Sequence, residues 1–375
     1  MRRYIDQDRP LSLYIHVPFC FSKCDYCAFY SLGSSDWCES ELERYFRVIM
    51  LQLEGLEKEY DRAYDTIFIG GGNPGMLGKD RLAEILRLAE RRGMPREVTV
   101  ELNPEEVTEE LLEALKPLTT RISMGIQSMN PRMLQTLGRN SNREKNLKAL
   151  NLLSRFDIEY NADIITAIPG FTPEDTIRDI DEIASFGPNH ISFYCLCYEE
   201  GTPIYRKVGE RSEDYEVACL ESGWKRLAEL GYEHYEISNF ARNGHYAEHN
   251  RVYWRLGQYI GIGPTAESNL GYSPCCSVRC NDELEKFLKD PVLDFEPLDD
   301  TRTMLEYIMV SLRTIWGVDK KMFSERFHED FDELFRDSIS TIPEDEYIDT
   351  QLSFSLTEKG YMMLDAIIFR LYSST

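Results

Sequence analysis

The segment His16-Val17-Pro18-Phe19-Cys20-Phe21-Ser22-Lys23-Cys24-Asp25-Tyr26-Cys27-Ala28-Phe29 decides the fold. Its cysteines, Cys20, Cys24 and Cys27, lie within eight residues and follow an apolar run that predicts a strand. A loop of this length can wrap three thiolates around one metal centre. Because four-iron clusters normally take four cysteines, three closely spaced ones predict a [4Fe–4S] cluster in which one iron keeps an open coordination position. The alternative, a structural zinc site, usually needs four ligands in paired CxxC spacing, and the sequence offers no convincing second pair.

Working outward from this loop, short β-branched or aromatic runs alternate with longer segments of helical period between residue 11 and about residue 240. This alternation is typical of parallel βα units. The predicted strands are Leu11–Phe19, Thr66–Gly70, Val98–Asn103, Arg121–Ser128, Tyr160–Ile168 and Ile191–Tyr198. Helices are predicted between them, for example at Glu39–Glu59 and Lys79–Arg92. Six units predict an α/β fold, a partial parallel (β/α)6 barrel, whose chemistry should lie at the C-terminal ends of its strands.

The sequence predicts two domains. Residues 1–275 should form the barrel together with the loop around His249. Residues 276–375 should form a smaller, mainly helical domain, in which Thr301–Ile315 and Leu356–Leu371 are the clearest amphipathic stretches.

Composition narrows the function class. The chain has 42 Lys and Arg against 65 Asp and Glu, a net charge of −23, which argues against a nucleic-acid partner. No run approaches the roughly 20 apolar residues of a membrane helix, and the N-terminus has no apolar signal core, so we expect a cytoplasmic protein without an integral membrane segment. The ten cysteines are then expected to be metal ligands or free thiols, because cytosolic reductants keep thiols reduced.

The CxxxCxxC spacing resembles the signature of the radical S-adenosylmethionine (SAM) superfamily. Leu13-Tyr14-Ile15-His16-Val17-Pro18-Phe19-Cys20 is similar to the opening of the branch that contains oxygen-independent coproporphyrinogen III dehydrogenase (HemN) and the haem chaperones of the HemW family. The resemblance implies that SAM binds the open iron. Electron transfer from the reduced cluster would then break a carbon–sulfur bond of SAM and release a deoxyadenosyl radical.

The resemblance also implies a SAM pocket along the strand ends. Gly71, Gly72 and Asn73 follow the second strand, where family members usually have Thr in place of Asn73. Glu101 ends the third strand, and Asp163 is an acidic residue in an otherwise apolar strand, where an unpartnered charge is costly. Further matching positions near SAM or the cluster are Tyr14, Tyr26, Gln127 and Arg139. Without the resemblance, the glycines would indicate a tight turn, Glu101 a helix cap, and the tyrosines core residues.

Two features separate the branches. The dehydrogenases typically have a fourth cysteine two positions after the third, and this chain has Phe29 there. They also carry an N-terminal extension before the cysteine loop, whereas only nineteen residues precede Cys20 in this sequence. The stretch His249-Asn250-Arg251-Val252-Tyr253-Trp254 fits the HNxxYW pattern of the chaperone branch, which implies haem bound through His249. From spacing alone, a histidine beside aromatics is more often structural. At position 267 this chain has Glu267, where many relatives have a histidine.

These observations lead to the hypothesis of a haem chaperone that holds a [4Fe–4S] cluster, SAM and haem, without assigned catalytic residues. The branch implies haem-acceptor proteins, respiratory ones among them, an electron donor such as flavodoxin or ferredoxin, and transient contact with the inner face of the membrane. The alternatives are a coproporphyrinogen dehydrogenase and a SAM-binding protein with neither activity. Cys275, Cys276 and Cys280 are not expected to form a second cluster site, while Cys195 and Cys197 are expected to share one face of the sixth strand.

Overall fold

A computed structural model describes residues 2–207, 212–272, 276–279, 283–289, 291 and 294–372. Its strands are β1 (Ser12–Val17), β2 (Thr66–Gly71), β3 (Glu97–Leu102), β4 (Arg121–Gln127), β5 (Glu159–Thr166), β6 (His190–Cys195), β7 (Glu233–Glu236), β8 (Asn239–Ala241), β9 (Tyr259–Ile262), β10 (Glu267–Leu270), β11 (Cys276–Arg279), β12 (Asp294–Pro297), β13 (Val318–Asp319), β14 (Tyr347–Asp349) and β15 (Ser353–Leu356). Its helices are α1 (Glu39–Glu59), α2 (Gly78–Ala89), α3 (Glu109–Leu115), α4 (Pro131–Thr136), α5 (Arg143–Leu153), α6 (Pro173–Ala184), α7 (Pro203–Lys207), α8 (Glu213–Glu229), α9 (Glu248–Trp254), α10 (Leu284–Lys289), α11 (Asp300–Ser311), α12 (Lys320–Phe327), α13 (Phe331–Ile339), α14 (Glu358–Met362) and α15 (Leu364–Tyr372).

One large sheet has the strand order β12-β11-β10-β9-β1-β2-β3-β4-β5-β6-β8-β7. Strands β1 to β6 are parallel and adjacent in chain order, which confirms the predicted α/β class and the six βα units of the partial barrel. The late strand β9 pairs in parallel with the other side of β1. The first strand is therefore interior to the sheet and is not its edge.

Alternation along the strands gives the sheet two different faces. The outer face is apolar and fully covered by helices; its residues include Leu13, Ile15, Ile67, Ile69 and Val100. The inner face is polar, and hydrogen bonds join side chains of neighbouring strands across it. Thr66 donates to Ser12 Oγ at 2.8 Å, and Asn161 Nδ2 donates to Ser123 Oγ at 2.8 Å. The barrel interior is therefore a column of polar side chains.

The first two helices follow the predicted positions. Helix α1 spans Glu39–Glu59 as predicted, with a buried stripe at helical spacing formed by Leu42, Tyr45, Ile49, Leu53 and Leu56. Helix α2 ends at Ala89, before the predicted end at Arg92, because the chain turns at Gly93 with φ of 143°.

The C-terminal region is mainly helical, as predicted, and adds a three-stranded sheet, β13-β15-β14. The predicted amphipathic stretch Leu356–Leu371 is helical over most of its length but is not continuous. Leu356 ends a strand, and two short helices follow because Thr357 caps the first by accepting the Gly360 N–H at 3.1 Å and Met363 ends it. The large sheet continues through β11 and β12 to residue 297, so the division at 275/276 stays a prediction.

No helix in the described part of the chain combines the length and apolar character that crossing a membrane requires.

Candidate cluster and SAM site

The three cysteines lie in the loop after β1, at the C-terminal end of the parallel strands. The loop is held by backbone hydrogen bonds from Cys20 N–H to the Leu32 carbonyl at 2.9 Å and from Cys27 N–H to the Cys24 carbonyl at 3.2 Å. Cys20 is 9% exposed, and the other two are half-buried. Burial chiefly, and then the nearby Cys27 and Cys24, raise the pKa of the Cys20 thiol to about 12. Since Cys24 and Cys27 both raise the pKa of Cys20, the three sulfur atoms lie near one another, and iron must displace the proton of Cys20 on binding.

The surroundings of the thiols fit a [4Fe–4S] cluster. Arg139 Nη1 donates to Cys24 Sγ at 3.5 Å, which places a positive charge beside that sulfur atom. Within the described ranges, no group of three or more His, Cys, Asp or Glu, these cysteines included, is arranged closely enough to hold a metal ion. In a [4Fe–4S] cluster, three cysteines with this spacing can each bind one iron, and the fourth iron is then left for SAM. When bound, the cluster and SAM would supply one-electron chemistry.

Gly72 keeps space open beside the cysteine loop. A Cβ there would lie 3.0 Å from Cys20 Sγ and 2.9 Å from the carbonyl oxygens of Val17 and Phe19. These carbonyls accept the N–H groups of Gly72 at 2.7 Å and Asn73 at 2.9 Å, so the backbone cannot retreat without losing hydrogen bonds.

We therefore expect Gly72→Ala to lower the free energy of unfolding by about 1–3 kcal/mol and to reduce the iron bound after anaerobic reconstitution. Chemical denaturation and iron analysis measure the two effects. The matched control is Gly55→Ala, because a Cβ at Gly55 meets no atom within 4 Å in the middle of α1 and should be neutral or slightly stabilising. Equal iron content and stability in both variants would contradict the assignment.

Two half-buried carboxylates lie on β3 and β5, the strands on either side of β4. The Gly71 N–H donates to Glu101 Oε2 at 3.0 Å, and a Cβ at Gly70 would be 2.6 Å from the same oxygen. Burial, and then the charge of Asp163, raise the pKa of Glu101 to about 8. Asp163 accepts a hydrogen bond from Asn161 Nδ2 at 2.7 Å, and burial raises its pKa too. Such a pair is suited to hydroxyl groups or a positive charge on a ligand.

Arg139 and Gln127 supply polar atoms that have no partner among the described residues. Arg139 Nη2 donates to the Gly125 carbonyl at 2.6 Å and to Asn103 Oδ1 at 3.0 Å, while its buried Nε makes no hydrogen bond. Gln127 Oε1 is also buried and unpartnered, and its backbone has φ of 68°. Since buried polar atoms without partners are costly, these two positions fit a polar ligand such as SAM.

The other predicted positions lie around the same loop. Tyr14 O–H donates to His16 Nδ1 at 2.9 Å, because His16 Nε2–H is used to donate to the Tyr30 carbonyl at 2.9 Å. Tyr26 is half-buried and packs on a small apolar cluster beside α4. Asn73 is buried, and its Oδ1 accepts the Gly75 N–H at 3.2 Å. SAM contacts of these three residues stay predictions.

His249 lies elsewhere. It is fully buried on α9, near the starts of the strands, and its ring lies 5.2 Å from that of Phe68. Because Thr66 donates its own proton to Ser12, His249 Nδ1–H donates to Thr66 Oγ1 at 2.7 Å, and Tyr253 O–H donates to Nε2 at 2.8 Å. Burial lowers the pKa of His249 to about 3, so the imidazole is neutral. Both ring nitrogens are occupied, and the haem role stays a prediction.

Sequence reasoning missed three positioning residues: Asn103, Asn161 and Glu97. Glu97 accepts the N–H groups of Glu248 at 2.8 Å and His249 at 3.0 Å and so fixes the start of α9. The strand period could have found Asn161, which lies two residues before Asp163 on the same face. Nothing in the sequence links Glu97 to a helix 150 residues later.

The prediction for Cys195 and Cys197 was wrong. Strand β6 ends at Cys195, so Cys197 lies beyond it and is exposed, and the two do not share a strand face. Cys275, Cys280 and the side chain of Cys276 lie outside the described residues. Glu267 begins β10 and is exposed.

Comparison with known proteins places this site in a family. The model for the radical SAM superfamily matches residues 14–183, and that for the HemN C-terminal domain matches residues 298–363. The heme chaperone HemW of Haemophilus influenzae is 30% identical, with 96% of this chain and 97% of the relative covered. The chain belongs to the HemW family. A HemW protein of Buchnera aphidicola subsp. Schizaphis graminum is 29% identical over 96% of this chain and 97% of its own length.

HemN of Escherichia coli, a coproporphyrinogen III oxidase, has the same fold, with a TM-score of 0.84 and 19% identity over 100% of this chain and 93% of that one. This likeness establishes the fold alone. Membership of the HemW family, within the radical SAM superfamily, implies a [4Fe–4S] cluster and SAM as cofactors, and the residues around the cysteine loop fit both.

Proposed function

We propose that this chain is a haem chaperone, which binds haem and delivers it to acceptor proteins while holding a [4Fe–4S] cluster and SAM. The observation that carries the proposal is the similarity along nearly the whole chain to proteins named heme chaperone HemW. Cys20, Cys24 and Cys27 are the proposed cluster ligands. The proposed SAM contacts are Tyr14, Tyr26, Gly71, Gly72, Asn73, Glu101, Gln127, Arg139 and Asp163.

The proposal extends to partners and location. Respiratory haem proteins are the proposed acceptors, and a flavodoxin or ferredoxin is the proposed electron donor. With its net charge of −23, the chain should avoid nucleic acid. The cytoplasm is its proposed location. Transient contact with the inner membrane face would follow from delivery to membrane-bound acceptors.

A haem titration of the reconstituted protein tests this function. We expect about one haem per chain by absorbance and no decarboxylation of coproporphyrinogen III. Absence of haem binding together with decarboxylation would overturn the proposal and favour a coproporphyrinogen dehydrogenase.

The ligand role of His249 needs its own test, because His249→Ala leaves a cavity in a fully buried site and lowers stability for that reason alone. The Tyr253→Phe variant is a more specific test than His249→Ala. It removes the O–H that donates to His249 Nε2, the hydrogen bond that a haem iron bound there has to replace, so haem binding through this nitrogen should tighten about tenfold. The control is Tyr259→Phe, whose ring packs 4.6 Å from that of Tyr253 without bonding the imidazole. Unchanged haem affinity in Tyr253→Phe would assign His249 a structural role.

A further inference from the structure

A cavity of about 170 Å³ opens near the starts of β1, β2 and β3, at the end of the barrel opposite the cysteine loop. The cavity is lined by four arginines, Arg9, Arg96, Arg251 and Arg255. One carboxylate, that of Asp65, lines it as well. Such a concentration of positive charge is unexpected in a chain with a net charge of −23. The arginines come from three distant parts of the chain, so the fold assembles them.

Three of these arginines have carboxylate partners. Arg96 binds both oxygens of Asp65 at 2.9 Å and also pairs with Glu248, which is shared with Arg251. Arg9 pairs with Asp6 at 3.4 Å.

Arg255 is the exception. Its side chain makes no hydrogen bond or ion pair with any residue of the described ranges, and part of it is exposed. Desolvation by the surrounding protein first, and then the positive charge of Arg251, lower the pKa of the Arg255 guanidinium. In addition, Arg251 Nε is buried without a partner. The cavity therefore retains donors and positive charge that the chain itself does not neutralise.

The cavity is connected to the imidazole of His249 through shared elements and hydrogen bonds. Arg251 lies on the same helix as His249, and Arg255 caps its C-terminal end. Ser12 lines the cavity and accepts a hydrogen bond from Thr66, which in turn accepts one from His249. Two hydrogen bonds thus connect the cavity wall to the ring.

We propose that this arginine cavity binds carboxylates and that the propionate groups of haem are its ligands, an assignment that rests on the proposed haem-chaperone function. Guanidinium groups bind carboxylates through paired, charge-assisted hydrogen bonds. The cavity is smaller than the roughly 300–1,000 Å³ of sites that enclose a whole ligand. It accommodates carboxylates, while the porphyrin ring stays outside.

The experiment compares haem with haem dimethyl ester, which lacks free carboxylates, by absorbance titration of the reconstituted full-length protein. The variant is Arg255→Gln, and the matched control is Arg155→Gln, an exposed arginine at the end of α5 that does not line the cavity. For each protein the ratio of the two dissociation constants is taken, and the different solubilities of the ligands cancel when these ratios are compared between proteins. Citrate is titrated separately as a free source of carboxylates.

We expect wild type and Arg155→Gln to bind haem about tenfold more tightly than the ester, and Arg255→Gln to lose most of that preference. Equal binding of haem and ester by wild type, or an unchanged preference in Arg255→Gln, overturns the inference while haem binding itself stands. Citrate binding that Arg255→Gln abolishes, with haem and ester bound alike, assigns the cavity to small carboxylates and overturns the haem assignment. If neither porphyrin binds, the proposed function fails, and the propionate assignment fails with it.

Discussion

Replacing Cys20, Cys24 and Cys27 together by alanine should reduce the iron content of the reconstituted protein from about four atoms per chain to near zero. The broad absorbance of the cluster near 400 nm should disappear with it. Each single replacement should produce nearly the same loss, because a cluster held by two thiolates is exposed to solvent and breaks down. SAM binding should fall as well, since its proposed iron ligand is gone.

The matched control for this experiment is Cys38→Ala. Cys38 is an exposed thiol before α1, and its sulfur lies 3.0 Å from Ser40 Oγ. We expect it to keep full iron content, with at most a small loss of stability at the helix start. A triple variant that retained its iron and its absorbance would overturn the cluster assignment. Retained iron in only one single variant would remove that cysteine from the ligand set.

Replacement of Glu101 by glutamine should change how the stability of the apoprotein depends on pH. The folded-state pKa of Glu101, about 8, lies above its ordinary value of 4.5. Between these values the folded chain holds a proton that the unfolded chain has released, so the free energy of unfolding falls as pH rises. The loss should be complete above pH 8 and on the order of 2–5 kcal/mol. Glu101→Gln removes it and keeps an acceptor for the Gly71 N–H.

Urea denaturation at pH 5 and pH 9 measures this effect. Wild type and Glu101→Gln should be equally stable near pH 5, and the variant should be more stable at pH 9. The control, Glu113→Gln, changes an exposed glutamate on α3 and should follow wild type. Burial raises the pKa of Glu106 and Glu236 to about 7, so wild type loses stability over this range in any case, and only the difference between proteins reports on Glu101. Parallel curves for wild type and Glu101→Gln would contradict the prediction.

The same variant should bind SAM about tenfold more weakly, because the glutamine cannot become an anion when a ligand with hydroxyl or ammonium groups arrives. A gain in stability with a loss in binding is the expected signature of a site that strains the empty protein.

The sequence was most informative where chemistry and strand period coincide. The spacing of the cysteines predicted a loop at the end of the first strand, and Glu101 was expected near the end of the third, since the C-terminal ends of parallel strands meet at the same edge of a barrel. Asp163 was noticed for a different reason, as an acidic residue within an apolar strand. Arg139 could be matched to the family, but its hydrogen bond to Cys24 depends on how a distant turn packs against the loop.

The surroundings of His249 could not be predicted. The sequence shows a histidine beside aromatics, whereas its burial depends on Thr66 and Glu97, which lie at the starts of two strands more than 150 residues earlier. The arginine cavity was missed for the same reason, because Arg9, Arg96 and Arg255 come together only when the sheet is formed. Local pattern predicts faces and strand ends, while packing between distant segments sets which side chains are buried.

The pairing of β9 with β1 also has a consequence for synthesis on the ribosome. Strand β1 is complete at Val17, but its second neighbour ends at Ile262. While the chain between these points is being made, one side of β1 presents unpaired backbone groups, as an edge strand does, and such edges invite pairing with other chains. A nascent chain that stalled before residue 262 would carry the three cysteines of the cluster loop and, in addition, an open sheet edge. We expect the last steps of folding to wait for this closing strand, and truncations before it to aggregate.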